Sequence, residues 1–299
     1  MQTITERIQS LKAEKNAVIL AHYYVPDEVQ AIADFVGDSF YLARVARETT
    51  AETVVFCGVH FMGESAKILN PDKRVLLPDQ TADCPMAHMA TAEQIEKLRR
   101  ETDDLAVVCY INSTAELKAL SDVCVTSSNA VKIVKALPQK NILFIPDENL
   151  GAFVAAAVPE KKFYFSGGYC PVHAFLSAAD VSAAKRAHPA APVLTHPECG
   201  KAVREISDFL GSTAEIISFA GRSDATEFIV CTEPGVLFEL RKRYPEKNFF
   251  PAGMVCADMK KITLEKVLRC LETGAGEVFI GEEEGARAYA PLARMLSLG

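Results

Sequence analysis

The stretch LAVVCYIN, residues 105–112, decides the fold because an apolar run of β type ends abruptly in tyrosine and asparagine. Two other runs have the same form, AVILAHYY at residues 17–24 and APVLTHPE at residues 191–198. Short strands that are apolar throughout are typical of parallel sheets covered on both faces. Amphipathic segments such as ITLEKVLRCLE, residues 262–272, separate the strand-like runs. This alternation predicts βαβ units and an α/β fold.

The chain also contains an internal repeat. Polar residues that end the three runs recur every 86 residues: Tyr24, Tyr110 and His196. Three cysteines keep the same interval of 86 residues: Cys84, Cys170 and Cys256. Coincidence among nine cysteines is the simple alternative, but two independent sets with one interval favour three copies of a small α/β unit. A pseudo-threefold arrangement would bring one cysteine from each copy to a common centre.

The repeat predicts three homologous three-layer αβα domains around a central active site. We place their boundaries at residues 1–86, 87–172 and 173–282, and we expect residues 283–299 to pack with the first domain. Ligands of parallel α/β sheets bind at the carboxyl ends of the strands. The loops after the strands are therefore the place to seek functional residues.

Composition excludes several classes of protein. The 299 residues carry a net charge of −7, which offers no basic footprint for nucleic acid. The longest apolar stretch, GAFVAAAV, is much shorter than the roughly 20 residues of a membrane span. The opening segment is amphipathic and lacks the apolar core of a signal peptide, so we expect a cytoplasmic protein without membrane partners. Its cysteines should then be thiols.

Three matched cysteines indicate a particular kind of metal site. Structural zinc takes four ligands, and a 4Fe–4S cluster usually takes four cysteines. Three thiolates would leave one iron open to bind a substrate oxygen as a Lewis acid, which suits dehydration. Four other cysteines lie inside apolar runs, where packing is the expected role: Cys57, Cys109, Cys124 and Cys231. Cys270 should pack in a helix, and Cys199 is left unassigned.

The motifs of the chain resemble those of the quinolinate synthases, the NadA-type enzymes of NAD biosynthesis. The resemblance covers nearly the whole chain and rests on segments that include AHYYVPDEVQ, YINSTAELKALSDVCVTSSNAV, GYCPVH, HPEC, DFLGST and CADMKKITLEKVL. It implies three α/β sandwiches in a triangle and a 4Fe–4S cluster held by Cys84, Cys170 and Cys256. It also implies condensation of iminoaspartate with dihydroxyacetone phosphate to quinolinate, with loss of phosphate and two waters. An L-aspartate oxidase or an aspartate dehydrogenase would be the functional partner.

The same resemblance implies the other site residues. Catalytic roles fall on five residues near strand ends: His22, Tyr24, Tyr110, His196 and Glu198. Substrate binding falls on a larger set: His22, Ser39, Tyr110, Asn112, Ser127, His173, His196, Glu198, Ser212 and Thr213. Glu198 is our choice of general base. The hydroxyls sit at or near helix starts, which suit anionic substrates, although ordinary helix capping explains them equally. Lys260 and Lys261 either add positive charge or form a solvated helix face.

Two other functions stay open at this point. Another iron–sulfur hydro-lyase would share the open iron but would not need a triose phosphate. An iron–sulfur sensor or carrier would not be an enzyme, and the many polar residues at the strand ends argue against it. The chain has neither the CxxxCxxC run of radical SAM enzymes nor the glycine-rich motifs of nucleotide-binding folds.

Overall fold

The computed structural model describes residues 2–299 and contains three parallel sheets of four strands each. Along every sheet the second strand in sequence lies at the edge, followed by the first, third and fourth. The strands of the first sheet are β1 (Ala17–His22), β2 (Phe35–Gly37), β3 (Thr53–Cys57) and β4 (Arg74–Leu76). The second sheet contains β5 (Leu105–Tyr110), β6 (Val123–Val125), β7 (Asn141–Ile145) and β8 (Lys162–Phe165). The third contains β9 (Val193–Thr195), β10 (Phe209–Leu210), β11 (Glu227–Cys231) and β12 (Asn248–Pro251).

Helices connect the strands of each sheet. The first sheet has α1 (Ile4–Glu14), α2 (Asp27–Ile32), α3 (Ser39–Glu48) and α4 (His60–Leu69). The second has α5 (Ala92–Glu101), α6 (Ala115–Ala119), α7 (Ala130–Ala136) and α8 (Glu148–Ala157). The third has α9 (Pro171–Ala174), α10 (Ala178–Ala187), α11 (Lys201–Arg204), α12 (Thr213–Arg222) and α13 (Val236–Arg243). The chain ends with α14 (Leu264–Thr273) and α15 (Glu282–Leu298), and 3₁₀ turns occupy Pro85–His88 and Met259–Lys261. The predicted fold class, three repeated αβα units, is confirmed; we call these units modules.

An aspartate before the second strand of each sheet shows how closely the modules match: Asp34, Asp122 and Asp208. Each carboxylate accepts a hydrogen bond from a backbone N–H inside the first strand, at 2.8, 2.7 and 2.8 Å respectively. The donors in that order are Ile19, Val107 and Val193. A repeated side-chain bond of this kind ties neighbouring strands at equivalent positions in all three modules.

These bonds correct one detail of the repeat. The residues three positions after the donors are the true equivalents: His22, Tyr110 and His196. Tyr24, which we aligned with Tyr110 and His196, therefore lies two residues beyond the equivalent point. The reason is a two-residue insertion before the first cysteine: Cys84 follows Leu76 by eight residues, whereas Cys170 follows the equivalent Tyr164 by six. Because of this insertion, Cys84 and Cys170 are 86 residues apart although the equivalent residues His22 and Tyr110 are 88 apart. The equality with the interval of 86 between Cys170 and Cys256 is a coincidence.

The hydrophobic core is shared unequally among the modules. One continuous cluster of buried side chains runs through the first two modules and includes residues of α14 and α15. The third module has two further clusters, one around Phe228, which also includes Tyr23 of the first module, and one around Val193. Helix α15 packs against α4 of the first module and against α6, β6 and α7 of the second. The exact domain boundaries remain a prediction.

The cysteines inside strands pack as expected. Cys57, Cys109, Cys124 and Cys231 are buried in β3, β5, β6 and β11, and Cys270 is buried in α14. Cys199 joins the third module's core beside Cys231. Within residues 2–299, no helix combines the length and the apolar character needed to cross a bilayer.

Candidate active site

A cavity of about 310 Å³ lies where loops from all three modules meet. All but one of the site residues expected from the sequence line it: His22, Tyr24, Ser39, Cys84, Tyr110, Asn112, Ser127, Cys170, His173, His196, Glu198, Thr213 and Cys256. The exception is Ser212, which the structure places as the N-cap of α12, with its hydroxyl accepting from the N–H of Glu215 at 3.3 Å. Ordinary helix capping, the alternative to substrate binding, therefore describes the position of this serine.

The three matched cysteines occupy similar loops. Cys84 and Cys170 directly precede helical turns that begin with proline, and Cys256 precedes the 3₁₀ turn at Met259. Gly168 lets the second loop run close to the preceding one, since a Cβ there would lie 2.6 Å from the carbonyl oxygen of Pro146. Proline after the cysteine and glycine before it therefore shape a tight loop that turns the thiol toward the cavity.

The surroundings of the three sulfurs disfavour free thiolates. Burial raises the pKa of the Cys84, Cys170 and Cys256 thiols, and nearby acidic groups raise it further. Glu198 acts on both Cys84 and Cys170, and Cys84 also acts on Cys170. A cationic metal centre would relieve this repulsion, and thiolate is a ligand that soft metals prefer. The donor set therefore fits a metal–sulfur group.

Glu198 is the centre of a buried hydrogen-bonded cluster. Its Oε1 accepts from the Tyr110 hydroxyl at 2.5 Å, and its Oε2 lies 2.8 Å from His173 Nδ1. Burial alone opposes ionisation, but the two histidines His196 and His173 and the hydrogen bonds from His173 and Tyr110 outweigh it and hold the pKa of Glu198 below its usual range. The acid is therefore an ionised carboxylate that faces the cavity. One ligand atom each of Cys170, His173 and Glu198 lies within 4.8 Å of the others.

Two histidines at equivalent strand ends share one local geometry. Nδ1 of His22 accepts from the N–H of Tyr24, and Nδ1 of His196 accepts from the N–H of Glu198, both at 3.3 Å. Burial lowers the pKa of each ring to about 3, so both are neutral at pH 7. Since Nδ1 is an acceptor, the proton of each ring is on Nε2. In His196 this Nε2–H donates to Ser127 Oγ at 3.2 Å.

Tyr24 reaches from the first module into the third. Its hydroxyl is 2.6 Å from Thr213 Oγ1 and 2.8 Å from Thr232 Oγ1. Burial raises the pKa of this phenol well above its ordinary value, so that it keeps its proton at neutral pH. Thr232 Oγ1 is also 2.8 Å from His173 Nε2, and it thereby connects Tyr24 to the cluster around Glu198.

Our reading of the sequence missed three buried residues of this region. They are Asp147, Thr232 and Glu233, which follow β7 and β11 and are at most 1% exposed. The rule that polar residues at strand ends face the ligand would have found Thr232 and Glu233, which directly follow β11, and also Asp147, which lies two residues after the end of β7. Lys260 is not on a solvated face: its Nζ lies 3.0 Å from Glu233 Oε1 and donates to the Tyr24 carbonyl oxygen at 2.6 Å. Lys261 pairs with Asp258 at 2.7 Å.

Comparisons with known proteins agree with this geometry. The family described as "Quinolinate synthetase A protein" matches residues 6–297. The chain belongs to this family. A "Quinolinate synthase" of Caldicellulosiruptor saccharolyticus is 52% identical over 100% of this chain and 99% of its own length. Proteins with the same name from Sulfurihydrogenibium sp. and Clostridioides difficile are 49% and 48% identical over 99% of this chain and 98% of their own lengths.

Membership of the quinolinate synthetase A family makes the chain an enzyme of NAD biosynthesis. The agreement extends along the whole chain rather than over one module. Several contacts around the cavity cross from one module to another: Tyr24 to Thr213, Tyr110 to Glu198, and His196 to Ser127. The complete chain is thus the smallest unit that contains the site.

Proposed function

We propose that the chain condenses iminoaspartate with dihydroxyacetone phosphate to form quinolinate, phosphate and two waters, in de novo NAD biosynthesis. The observation that carries the proposal is the convergence of three repeat-related cysteines on the cavity that contains the Glu198 cluster. A sensor or carrier has no need of a buried carboxylate, tyrosines and neutral histidines around its metal. An enzyme that moves protons needs all of them.

Cys84, Cys170 and Cys256 would hold a 4Fe–4S cluster, one cysteine from each module. When bound, the cluster supplies a Lewis acid at the iron that has no cysteine ligand. The chain itself lines the cavity mostly with apolar groups, Met62 among them, and an apolar lining strengthens the electrostatic contacts made inside the cavity.

Hydrogen-bond donors around the cavity suit substrates with carboxylate and phosphate groups. His22 presents its Nε2–H, and the amide NH2 of Asn112 is a further donor. The Oδ1 of Asn112 is buried without a partner within residues 2–299 and would accept from a hydroxyl or N–H of the substrate. Ser39 and Thr213 are the first residues of α3 and α12, where backbone N–H groups and the helix dipole favour anions. These donors bind anions without placing a lysine in the reacting region.

Glu198 and Tyr24 divide the proton transfers. Glu198, an ionised carboxylate, removes a proton from the condensing carbon or nitrogen. Tyr24, a phenol of raised pKa, donates a proton to the oxygen that departs. Removal of one proton and donation of another release one water without net uptake of protons. Thr232 holds His173 Nε2, which leaves the Nδ1–H of His173 directed at Glu198.

Iminoaspartate is a labile imine, so a second enzyme must supply it near the site of use. We propose an L-aspartate oxidase or an aspartate dehydrogenase as the functional partner, and we propose the cytoplasm as the compartment.

An anaerobic assay tests the proposal. The purified protein is incubated with aspartate, an aspartate oxidase and dihydroxyacetone phosphate, and quinolinate is measured by chromatography. Formation of quinolinate that depends on both carbon sources is the expected result. Protein that contains about four irons per chain yet makes no quinolinate, and instead dehydrates a hydroxy acid, would favour the hydro-lyase alternative.

A further inference from the structure

Every matched cysteine gives its backbone N–H to a carboxylate. In the second module the N–H of Cys170 donates to Asp147 Oδ2 at 3.0 Å. The other oxygen of Asp147 accepts from the N–H of Leu150 at 2.7 Å and caps α8. This side chain is fully buried. One carboxylate therefore connects the start of a helix to the loop that presents the cysteine.

The third module repeats the arrangement. The N–H of Cys256 donates to Glu233 Oε1 at 3.3 Å, and Glu233 Oε2 accepts from the N–H of Gly235 at 2.6 Å. Glu233 is also fully buried. Asp147 and Glu233 both precede their cysteine by 23 residues, so they are equivalent positions of the repeat.

In the first module a carboxylate at a different position accepts the N–H of the cysteine. Counted from the sheet register, its equivalent of Asp147 is Val59, an apolar residue that caps nothing. The N–H of Cys84 donates instead to its neighbour Asp83, at 2.7 Å. The two-residue insertion before Cys84 accompanies this change of partner. The carboxylate contact thus persists although the position that supplies it does not.

We propose that Asp83, Asp147 and Glu233 are positioning residues that fix the three cysteine loops in the orientation required for one shared cluster. The inference rests on the proposed cluster and concerns contacts to the cysteine backbones; Asp83 and Glu233 also line the cavity, whereas Asp147 does not. Groups that orient metal ligands in this way usually change metal affinity or activity 10–100-fold when mutated. The physical reason is that a carboxylate accepts hydrogen bonds on both oxygens. An amide has one accepting oxygen, and its NH2 group would point two donors at the second backbone N–H.

The test measures the cluster rather than catalysis. Asp147→Asn and Glu233→Gln holoproteins, purified without oxygen, are exposed to an iron chelator, and the rate of colour loss is recorded. We expect about tenfold faster loss or more in each variant. Asp122→Asn and Asp208→Asn are the controls, because each removes a carboxylate that accepts a backbone N–H in the same module without contacting a cysteine loop, and both should lose iron at the wild-type rate. Thermal unfolding of all four gives the general destabilisation for comparison.

A second readout separates orientation from general loosening. The visible circular dichroism of the bound cluster depends on how its cysteines are arranged, so it should change in Asp147→Asn and Glu233→Gln and stay unchanged in the controls. Asp83 is exposed by about two fifths of its side chain (44%), so Asp83→Asn will fold even if a buried variant does not, and it should show the same two effects. Wild-type chelation rates and spectra in all three variants would overturn the inference. Wild-type protein that binds no cluster would overturn the proposed function instead.

Discussion

The hydroxyl of Tyr110 donates to Glu198 Oε1 at 2.5 Å, which joins the end of β5 in the second module to the loop after β9 in the third. The carboxylate also contacts His173 through its other oxygen. With both oxygens engaged by donors, Glu198 is held in one rotamer and kept ionised. Its position therefore depends on two modules being correctly docked.

Replacement of this acid should separate catalysis from cluster binding. We expect Glu198→Gln to keep its iron and its colour but to lose about 10²-fold or more in turnover, because an amide cannot accept the substrate proton. Quinolinate formation and iron content are measured on the same anaerobic sample. Glu239→Gln, which alters another buried acid paired with Arg243 in α13, is the control and should keep turnover. Full activity of Glu198→Gln would remove this residue from the mechanism.

The cysteines should divide into two groups. Cys170→Ser should lose colour and activity together, since a cluster with only two cysteine ligands is not retained. Cys231→Ser should keep both, because Cys231 packs inside β11. Anaerobic visible spectra and iron analysis, with about four irons per chain expected for the wild type, give the result. A colourless Cys170→Ser protein with full activity would refute the ligand assignment.

The hydroxyl of Thr232 should matter through His173 rather than through substrate. Thr232→Val removes the hydroxyl that contacts His173 Nε2 and the Tyr24 hydroxyl, without changing the shape of the side chain. Loss of one buried hydrogen bond costs about 1–2 kcal/mol, which corresponds to a fall in turnover of about 5- to 30-fold, and Thr232→Ser should restore the turnover. Thr195→Val is the control, because Thr195 is equally buried but bonds to Ser207. Equal turnover in Thr232→Val and the wild type would contradict this role.

Acid should destabilise the fold through His22. Burial lowers its pKa from 6.5 to about 3, so below pH 6.5 the unfolded chain binds a proton that the folded ring does not. The contribution is fully present above pH 6.5 and is lost progressively as the pH falls toward 3, at up to about 1.4 kcal/mol per pH unit. Denaturant unfolding between pH 7 and pH 5 should therefore show a smaller slope for His22→Gln than for the wild type.

Much of this architecture can be predicted from the sequence, because strand periodicity and the spacing of cysteines are local properties. The three cysteine loops and the strand-end residues Tyr110 and His196 follow directly from them. Tyr24 was aligned two residues too far, because a two-residue insertion was hidden by an unchanged total interval. Ser212 resembled its neighbour Thr213, and only the helix start determines which of the two hydroxyls caps the helix.

Contacts between segments that are distant along the chain are the part that the sequence does not reveal. Thr232, Asp147 and Glu233 each follow a strand, yet the partners His173, Cys170 and Cys256 lie 23 or more residues away. A pattern in one segment carries no information about which side chain of another segment it will meet. Polar residues buried after parallel strands therefore need three-dimensional placement before a role can be assigned.

The separate cores of the third module bear on how the protein should be handled. Its apolar interior is largely its own, whereas many of its links to the other modules are polar bonds around the cavity, such as those of Tyr24 and Tyr110. A metal–sulfur group held by one cysteine from each module would connect all three modules across that cavity. We therefore expect loss of iron in air to do more than abolish activity. It should loosen the contacts between the modules and expose new protease cleavage sites at the boundaries between them.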